Sequence, residues 1–330
     1  MKIKISGLLC KLIISVFPLI FLPSSVYGQW LTGYNNRIKI TIPSSRVSGI
    51  SSHLNFPVLV NTTMNELRDF ANGGYVANAN GWDIVFSEDH STILDHQIEN
   101  YNNSTGELVA WVRIPELSPG SNYEFYIYFG SIWLDSDLST TDTWSSDYVS
   151  VYHLHDDLLD GTSSGNDGTN QGSLNAAGKI GDAREFNGSS DYIDLGNPSE
   201  FNFSTGNWTI SAWINTTDTY QNNIFSNGGD DHGGIRYVLA SSETGAAGRA
   251  VLTTDDNDDK YQAVSPSGLT NDGQWHYIVG KREGTRIYIY HDSGGPEDVT
   301  SISAGAGYDL SGSSQKNALI GAGISQQYGT

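Results

Sequence analysis

The segment GKIGDAREFNGSSDYIDLG, residues 178–196, carries the clearest signal of the fold. One strand ends at Phe186, a tight turn follows at Gly188, and a second strand begins. In that second strand, residues 192–195 (Tyr-Ile-Asp-Leu) alternate between polar and apolar side chains. Successive side chains of a strand point to opposite faces, so this alternation predicts a strand with one buried face.

Similar short segments occur along most of the chain, for example NRIKITI (36–42), WTISAWI (208–214) and TRIYIYHD (285–292). Most are separated by clusters of Gly, Asn, Ser and Pro, and glycine totals 37 residues. This period of two predicts an all-β protein. We expect a β-sandwich over residues 30–140, a polar linker over 141–147, and a two-sheet jelly roll over 148–330.

One segment predicts a short helix instead. In TTMNELRDFAN (62–72), Thr62 or Thr63 can cap the first turn, and Leu67 and Phe70 fall on one helical face.

The N-terminus has the pattern of a secretory signal peptide. Three lysines accompany an apolar run, residues 12–22, which Pro18 interrupts. Small residues follow, which predicts cleavage before Gln29 and removal of residues 1–28. The alternative is an uncleaved anchor, but the run is too short to span a bilayer comfortably. We therefore expect a secreted or cell-surface protein without a membrane span after cleavage.

Composition narrows the possible partners. The net charge is -20, and losing the three lysines of residues 1–28 leaves 14 basic against 37 acidic residues, or -23. Such acidity excludes a nucleic-acid binder, which needs a basic patch. It is compatible with Ca²⁺, or with solubility alone. The one cysteine, Cys10, lies in the predicted signal, so the mature chain would have no disulfide.

The second half resembles the concanavalin A-like, laminin-G-like jelly-roll family. The resemblance rests on five segments in order: VYHL, LDGTSSGNDGT, the 178–196 segment, WTISAWI and DGQWHYIVGKREGTRIYIYHD. Family members usually have one more strand after the point where this chain stops, so we expect a truncated jelly roll. The first half resembles a bacterial surface-protein domain family of unknown function, through segments such as RIKITI and GELVAWVRI.

The resemblance implies a Ca²⁺ site at a loop corner. Asp160 and Asp191 each open a turn or strand in loops that the family brings together, and Asn166 and Asp167 are weaker candidates. Carboxylate and carbonyl oxygens suit Ca²⁺. The alternative is that both aspartates only stabilise turns by bonding nearby backbone.

Ligand-binding candidates lie in loops and on strands. The segment NGGDDHGG presents Asp231 and His232, which could donate and accept hydrogen bonds, although a plain turn is the alternative. Six aromatic residues could stack on sugar rings: Trp208, Trp213, Trp275, Tyr220, Tyr237 and Tyr261. Most aromatics at alternating strand positions belong to the core, and the sequence does not choose among these six.

No catalytic motif is found. The Glu-x-Asp-x-x-Glu pattern of lectin-like glycoside hydrolases is absent, as are the serine-elbow and His-Glu-x-x-His motifs. We therefore expect a non-enzymatic binding or adhesion module, with extracellular glycans or surface proteins as partners. The alternatives are an accessory part of a larger secreted glycoside hydrolase and a structural spacer.

Overall fold

The structure is a computed structural model in which the chain divides into two compact units, residues 9–147 and residues 1–8 with 148–330. It describes residues 2–5, 30–220, 222–228, 235–242, 246–256, 260–265, 270–292, 298–301, 310 and 317–322. The strands are β1 (Lys2–Ile5), β2 (Asn36–Ile42), β3 (His53–Thr63), β4 (Val85–Ser87), β5 (His96–Asn102), β6 (Glu107–Leu117), β7 (Tyr123–Phe129), β8 (Thr169–Gln171), β9 (Leu174–Ala177), β10 (Asp182–Glu185), β11 (Tyr192–Asp194), β12 (Trp208–Asn215), β13 (Asn222–Gly228), β14 (Ile235–Ser241), β15 (Ala250–Asp256), β16 (Lys260–Val264), β17 (Trp275–Glu283), β18 (Arg286–His291), β19 (Asp298–Ser301) and β20 (Leu319–Ile320).

The unit of residues 9–147 is a small β-sandwich. One sheet has the strand order β2-β7-β4 and the other β3-β6-β5, and all the neighbouring strands are antiparallel. Its core is aliphatic and aromatic, and includes Ile40 and Ile42 of β2, Val60 of β3 and Phe125 of β7. The buried positions of β2 alternate with more exposed ones, as the sequence predicted.

The helix predicted over residues 62–72 is wrong. Strand β3 continues to Thr63, and two short 3-10 helices follow at Asn65–Leu67 and Phe70–Asn72. The leucine of the first is buried, whereas the phenylalanine of the second is 54% exposed, so they do not share a buried face. The first residues of the segment pair with β6. The backbone hydrogen bonds between β3 and β6 therefore outweigh the local helix propensity, which is only a weak determinant of secondary structure. Asp69 caps the second 3-10 helix by accepting the Asn72 N–H.

The second unit is a two-sheet jelly roll. One sheet has the order β19-β18-β17-β12-β1-β10-β9, and the other β16-β15-β14-β13-β20-β11-β8. A single core cluster contains Ile210, Ala212 and Ile214 of β12 together with Ile287 and Ile289 of β18. The all-β prediction, with a sandwich followed by a concanavalin A-like jelly roll, is confirmed.

The segment 178–196 links the two sheets of this unit. Strand β10 belongs to one sheet and β11 to the other, and Gly188 between them has a φ of 77°, which favours glycine. The alternation predicted in the second strand is observed, because Ile193 and Leu195 are buried. The segment therefore joins both layers to the core.

Strand β1 comes from the predicted signal peptide. It lies between β10 and β12 and pairs antiparallel with both. Signal cleavage, which stays a prediction, would remove this strand and leave β10 and β12 without their common partner. In the described part of the chain, no helix is long and apolar enough to cross a membrane.

Candidate ligand-binding site

Three loops of the jelly-roll unit meet at one end of its sheets. They are residues 187–191, residues 216–220, which follow β12, and residues 271–273, which precede β17; together we call them the loop edge. The Gly273 N–H donates to the Thr216 carbonyl at 3.0 Å, and Asn271 Nδ2 donates to the Asp218 carbonyl at 3.2 Å. A β-carbon built at Gly188 would lie 3.9 Å from Asp218 Oδ2, which brings the first loop to the second.

The loop edge carries one aromatic side chain, Tyr220, that is largely exposed to solvent. The Tyr220 side chain is 80% exposed, while its backbone is fixed by a 2.9 Å bond from its N–H to Asp218 Oδ1. Asp218 is itself held, since its N–H donates to Thr216 Oγ1 at 3.0 Å. An exposed ring on a fixed backbone, next to carboxylate and amide groups, is the combination that sugar ligands need: an apolar face to stack on and polar groups to fix orientation.

Asp160, the first Ca²⁺ candidate, is buried and already accepts four hydrogen bonds. Its Oδ1 accepts from the N–H groups of Val151 and Thr162, both at 3.0 Å. Its Oδ2 accepts from the Asn166 N–H at 3.1 Å and from Thr162 Oγ1 at 3.0 Å. Asp167 Oδ1 in turn accepts the Asp160 N–H at 2.9 Å. These contacts match the turn interpretation of the loop, and Ca²⁺ binding stays a prediction.

Asp191 lies at the loop edge in a different turn. Its Oδ2 accepts the Asn187 N–H at 3.0 Å, and its Oδ1 accepts from Ser190 Oγ at 3.2 Å. Asn187 Oδ1 closes the same turn by accepting three backbone N–H groups, from residues 189, 190 and 191. The turn therefore presents the 187–191 loop in a fixed conformation.

The aromatic candidates on strands are buried. Trp213 is 7% exposed and packs against Tyr277, with Lys179 Nζ 5.6 Å from its ring centroid. Tyr237 is 2% exposed, and its hydroxyl donates to the Phe201 carbonyl at 3.0 Å. Little of either ring is open to a ligand. The other two candidates, Asp231 and His232, lie outside the described residues.

A second polar cluster lies directly beside the loop edge, and the sequence did not predict it. It consists of His276 near the start of β17, His291 at the end of β18, and Asp292 just after β18. Strands β17 and β18 pair with Ile278 opposite His291, so His276, two residues before Ile278, lies diagonally from His291 on the same face. We call these three residues the His-Asp cluster.

Asp272 joins the His-Asp cluster to the loop edge. Its Oδ1 lies 3.0 Å from His276 Nε2, and Asp292 Oδ2 lies 3.1 Å from His276 Nδ1. Burial by itself would lower the pKa of His276, but the hydrogen bonds to both carboxylates outweigh burial and raise it above its usual value. The bond from His276 lowers the pKa of Asp272. Burial by itself would raise the pKa of Asp292, but the bonds from His276 and from the Tyr277 N–H, together with the two nearby imidazoles, outweigh burial and lower it.

Family comparison agrees with the motifs in the later part of the sequence. Residues 187–327 match the family model described as the Concanavalin A-like lectin/glucanases superfamily. The predicted resemblance is confirmed. Residues 80–167, which extend from the first unit into the start of the second, match a model described as a domain of unknown function, DUF2341. Among curated proteins no significant match to the chain was found. The family match supports a binding module in general.

Three solved structures are among those similar to this chain. The first is domains LG4-5 of the mouse laminin alpha1 chain, with 15% identity and a TM-score of 0.35, covering 44% of this chain and 36% of that chain. The second is domain 4 of an extracellular arabinanase from Geobacillus stearothermophilus, in complex with arabinotriose, with 20% identity, a TM-score of 0.40, and coverage of 50% and 77%. The third is the binding domain of Paraclostridial Mosquitocidal Protein 1, with 14% identity, a TM-score of 0.39, and coverage of 56% and 44%.

Proposed function

We propose that the chain is an exported glycan-binding module that binds its ligand at the loop edge of the jelly-roll unit. The observation that carries the proposal is the exposed ring of Tyr220, fixed at its backbone by Asp218. Loops presented by a rigid β scaffold are the usual place for binding residues. Export follows from the predicted signal peptide, and the chain itself would catalyse no reaction.

Charge narrows the class of glycan. The chain carries a net charge of -20 before signal removal. A protein of this charge repels acidic polysaccharides at long range, because the electrostatic potential of all its charges acts on ligands before they bind. Neutral oligosaccharides are therefore the expected ligands. Calcium bound at Asp160 or Asp191 would be structural or would help to shape the binding site.

The test is a glycan array followed by calorimetry with the strongest neutral oligosaccharide. We expect Tyr220→Ala to weaken binding about tenfold or more, since truncating a central aromatic contact costs about 2 kcal/mol or more and about 1.4 kcal/mol is a factor of ten. Tyr220→Phe retains the ring and should bind within about threefold of the unmodified protein. Trp133→Ala is the matched control, because Trp133 is also exposed, at 79%, but belongs to the other unit.

Two results would reject the proposal. One is an array on which no neutral glycan binds, with and without Ca²⁺; this would favour the spacer or accessory-domain alternatives. The other is a bound glycan whose affinity does not change in Tyr220→Ala, which would move the site away from the loop edge.

A further inference from the structure

We propose that the His-Asp cluster is a binding site for a divalent transition-metal ion of the Zn²⁺ type. The three ligand atoms would be His276 Nδ1, His291 Nε2 and Asp292 Oδ2. Within the residues that the structure describes, this is the one group of three His, Cys, Asp or Glu side chains whose ligand atoms all lie within 4.8 Å of one another. The inference does not depend on glycan binding.

The spacing of the three atoms suits a tetrahedral ion. The distances are 3.0 Å between the two imidazole nitrogens, 3.1 Å from His276 Nδ1 to Asp292 Oδ2, and 3.5 Å from His291 Nε2 to the same oxygen. In a tetrahedral zinc site with bonds of about 2.0–2.1 Å, neighbouring ligand atoms are about 3.3 Å apart. The cluster could therefore bind the ion with adjustments of a few tenths of an ångström.

The second nitrogen of His276 is already oriented. His276 Nε2 lies 3.0 Å from Asp272 Oδ1, so a neutral imidazole that donates from Nε2 leaves Nδ1 free to bind the ion. Zinc-binding histidines commonly donate their other N–H to a carboxylate, which fixes the tautomer and raises the basicity of the ligand. Asp272 is thus a positioning residue.

Asp292 is held by the backbone so that one oxygen faces the imidazoles. Its Oδ1 accepts the Tyr277 N–H at 3.1 Å, and its own N–H donates to the Tyr277 carbonyl at 2.8 Å. These two bonds leave Oδ2 directed at His276 and His291. The φ of Asp292 is 55°, a left-handed conformation that aspartate tolerates better than most residues.

The donor set selects the class of ion, and the burial pattern gives it access. Two imidazoles and one carboxylate favour Zn²⁺, whereas Ca²⁺ binds through oxygen atoms alone.

The side chains of His276 and His291 are only 11% and 7% exposed, but that of Asp292 is 44% exposed. The ion could therefore enter from solvent past the carboxylate and bind against buried imidazoles. Three protein ligands leave a fourth position for water or for a group of a ligand.

The experiment is calorimetric titration of the full chain with ZnCl₂ after treatment with a chelator. We expect one equivalent to bind, with Asp272→Asn about 10–100-fold weaker, as for other carboxylates that orient zinc ligands. His291→Gln and Asp292→Asn should each lower the affinity at least as much. The control is His155→Gln, because His155 Nε2 also lies 3.0 Å from a carboxylate oxygen, of Asp182, and it should leave the affinity unchanged.

A second measurement needs no substitution, so it tests the site even if a buried substitution unfolds the unit. The unmodified chain is loaded with Co²⁺, whose visible absorption is intense in tetrahedral sites and weak in the hydrated octahedral ion. Intense absorption that Zn²⁺ displaces and Ca²⁺ does not supports the proposal. Absence of stoichiometric Zn²⁺ binding, a hydrated-ion spectrum, or equal loss in His155→Gln would overturn it.

Discussion

Replacing Asp160 by alanine tests whether this carboxylate organises the 160–167 loop through hydrogen bonds alone. The substitution removes the acceptor of three backbone N–H groups, those of Val151, Thr162 and Asn166. The first two bonds are fully buried, and each buried donor left without a partner costs about 1–3 kcal/mol. We expect the free energy of unfolding to fall by about 3 kcal/mol. For a unit of this size the melting temperature should fall by about 6–12 °C.

Two other aspartates in the same loop region give a graded comparison. Asp167 accepts one bond, from the Asp160 N–H at 2.9 Å, so Asp167→Ala should cost about 1 kcal/mol. Asp157 accepts one exposed bond, from the Leu159 N–H at 3.3 Å, so Asp157→Ala should cost less than about 0.5 kcal/mol. The assay is thermal and urea unfolding of the three variants and the unmodified chain, followed by circular dichroism.

Calcium separates the two interpretations of Asp160. If the carboxylate acts only through hydrogen bonds, the loss in Asp160→Ala is the same with excess Ca²⁺ and with chelator. If it binds Ca²⁺, the unmodified chain gains stability with Ca²⁺ and the variant does not, because an ion that binds only the folded state stabilises it. A loss below about 1 kcal/mol in both conditions would refute the reasoning about buried donors.

Two further predictions concern buried residues. Burial lowers the pKa of His96, whose Nδ1 lies 2.8 Å from the Leu94 carbonyl, so the native state keeps this ring neutral. As the pH falls below ~6.5, the unfolded state takes up this proton before the native state does, and the free energy of unfolding should fall by up to about 1.4 kcal/mol per pH unit. Urea unfolding of His96→Gln should show a weaker pH dependence than that of the unmodified chain. A β-carbon at Gly280 would lie 2.9 Å from Leu252 Cδ1 across the jelly-roll core; Gly280→Ala should therefore cost about 1–3 kcal/mol in thermal unfolding, and an unchanged melting temperature would contradict this packing.

The strands were predictable because each carries its own alternation. In the segment 208–214 the apolar residues at even positions all belong to the core, and Ile287 and Ile289 do likewise in β18. The helix predicted over residues 62–72 is wrong because a distant strand decides the structure there. Residues 62–72 contain helix formers, but Thr62 and Thr63 pair with β6, a strand more than 40 residues later in the chain. Sheet partners at that distance are invisible to a local helix pattern.

The loop edge could not be assembled from the sequence for a similar reason. Its loops, 187–191, 216–220 and 271–273, lie up to about eighty residues apart in the chain. The last two meet because β12 and β17 are neighbours in the sheet, and the first follows β10 of the same sheet. Tyr220 was one of several stacking candidates, and exposure alone distinguishes it from Tyr237, which is buried. Exposure depends on the packing of both sheets, which no single segment specifies.

The His-Asp cluster could have been predicted from the sequence more easily than the loop edge. Strands β17 and β18 form a hairpin whose two-residue loop, 284–285, begins with a glycine at a φ of 56°, the type of residue that tight hairpin turns require. Once that loop is located, the register follows by counting outward from the pair Glu283–Arg286 to the pair Ile278–His291. His276 then lies diagonally from His291, and Asp292 directly follows. Two histidines 15 residues apart thus become neighbours through one turn, so the turn, more than either strand, is the sequence signal for the cluster.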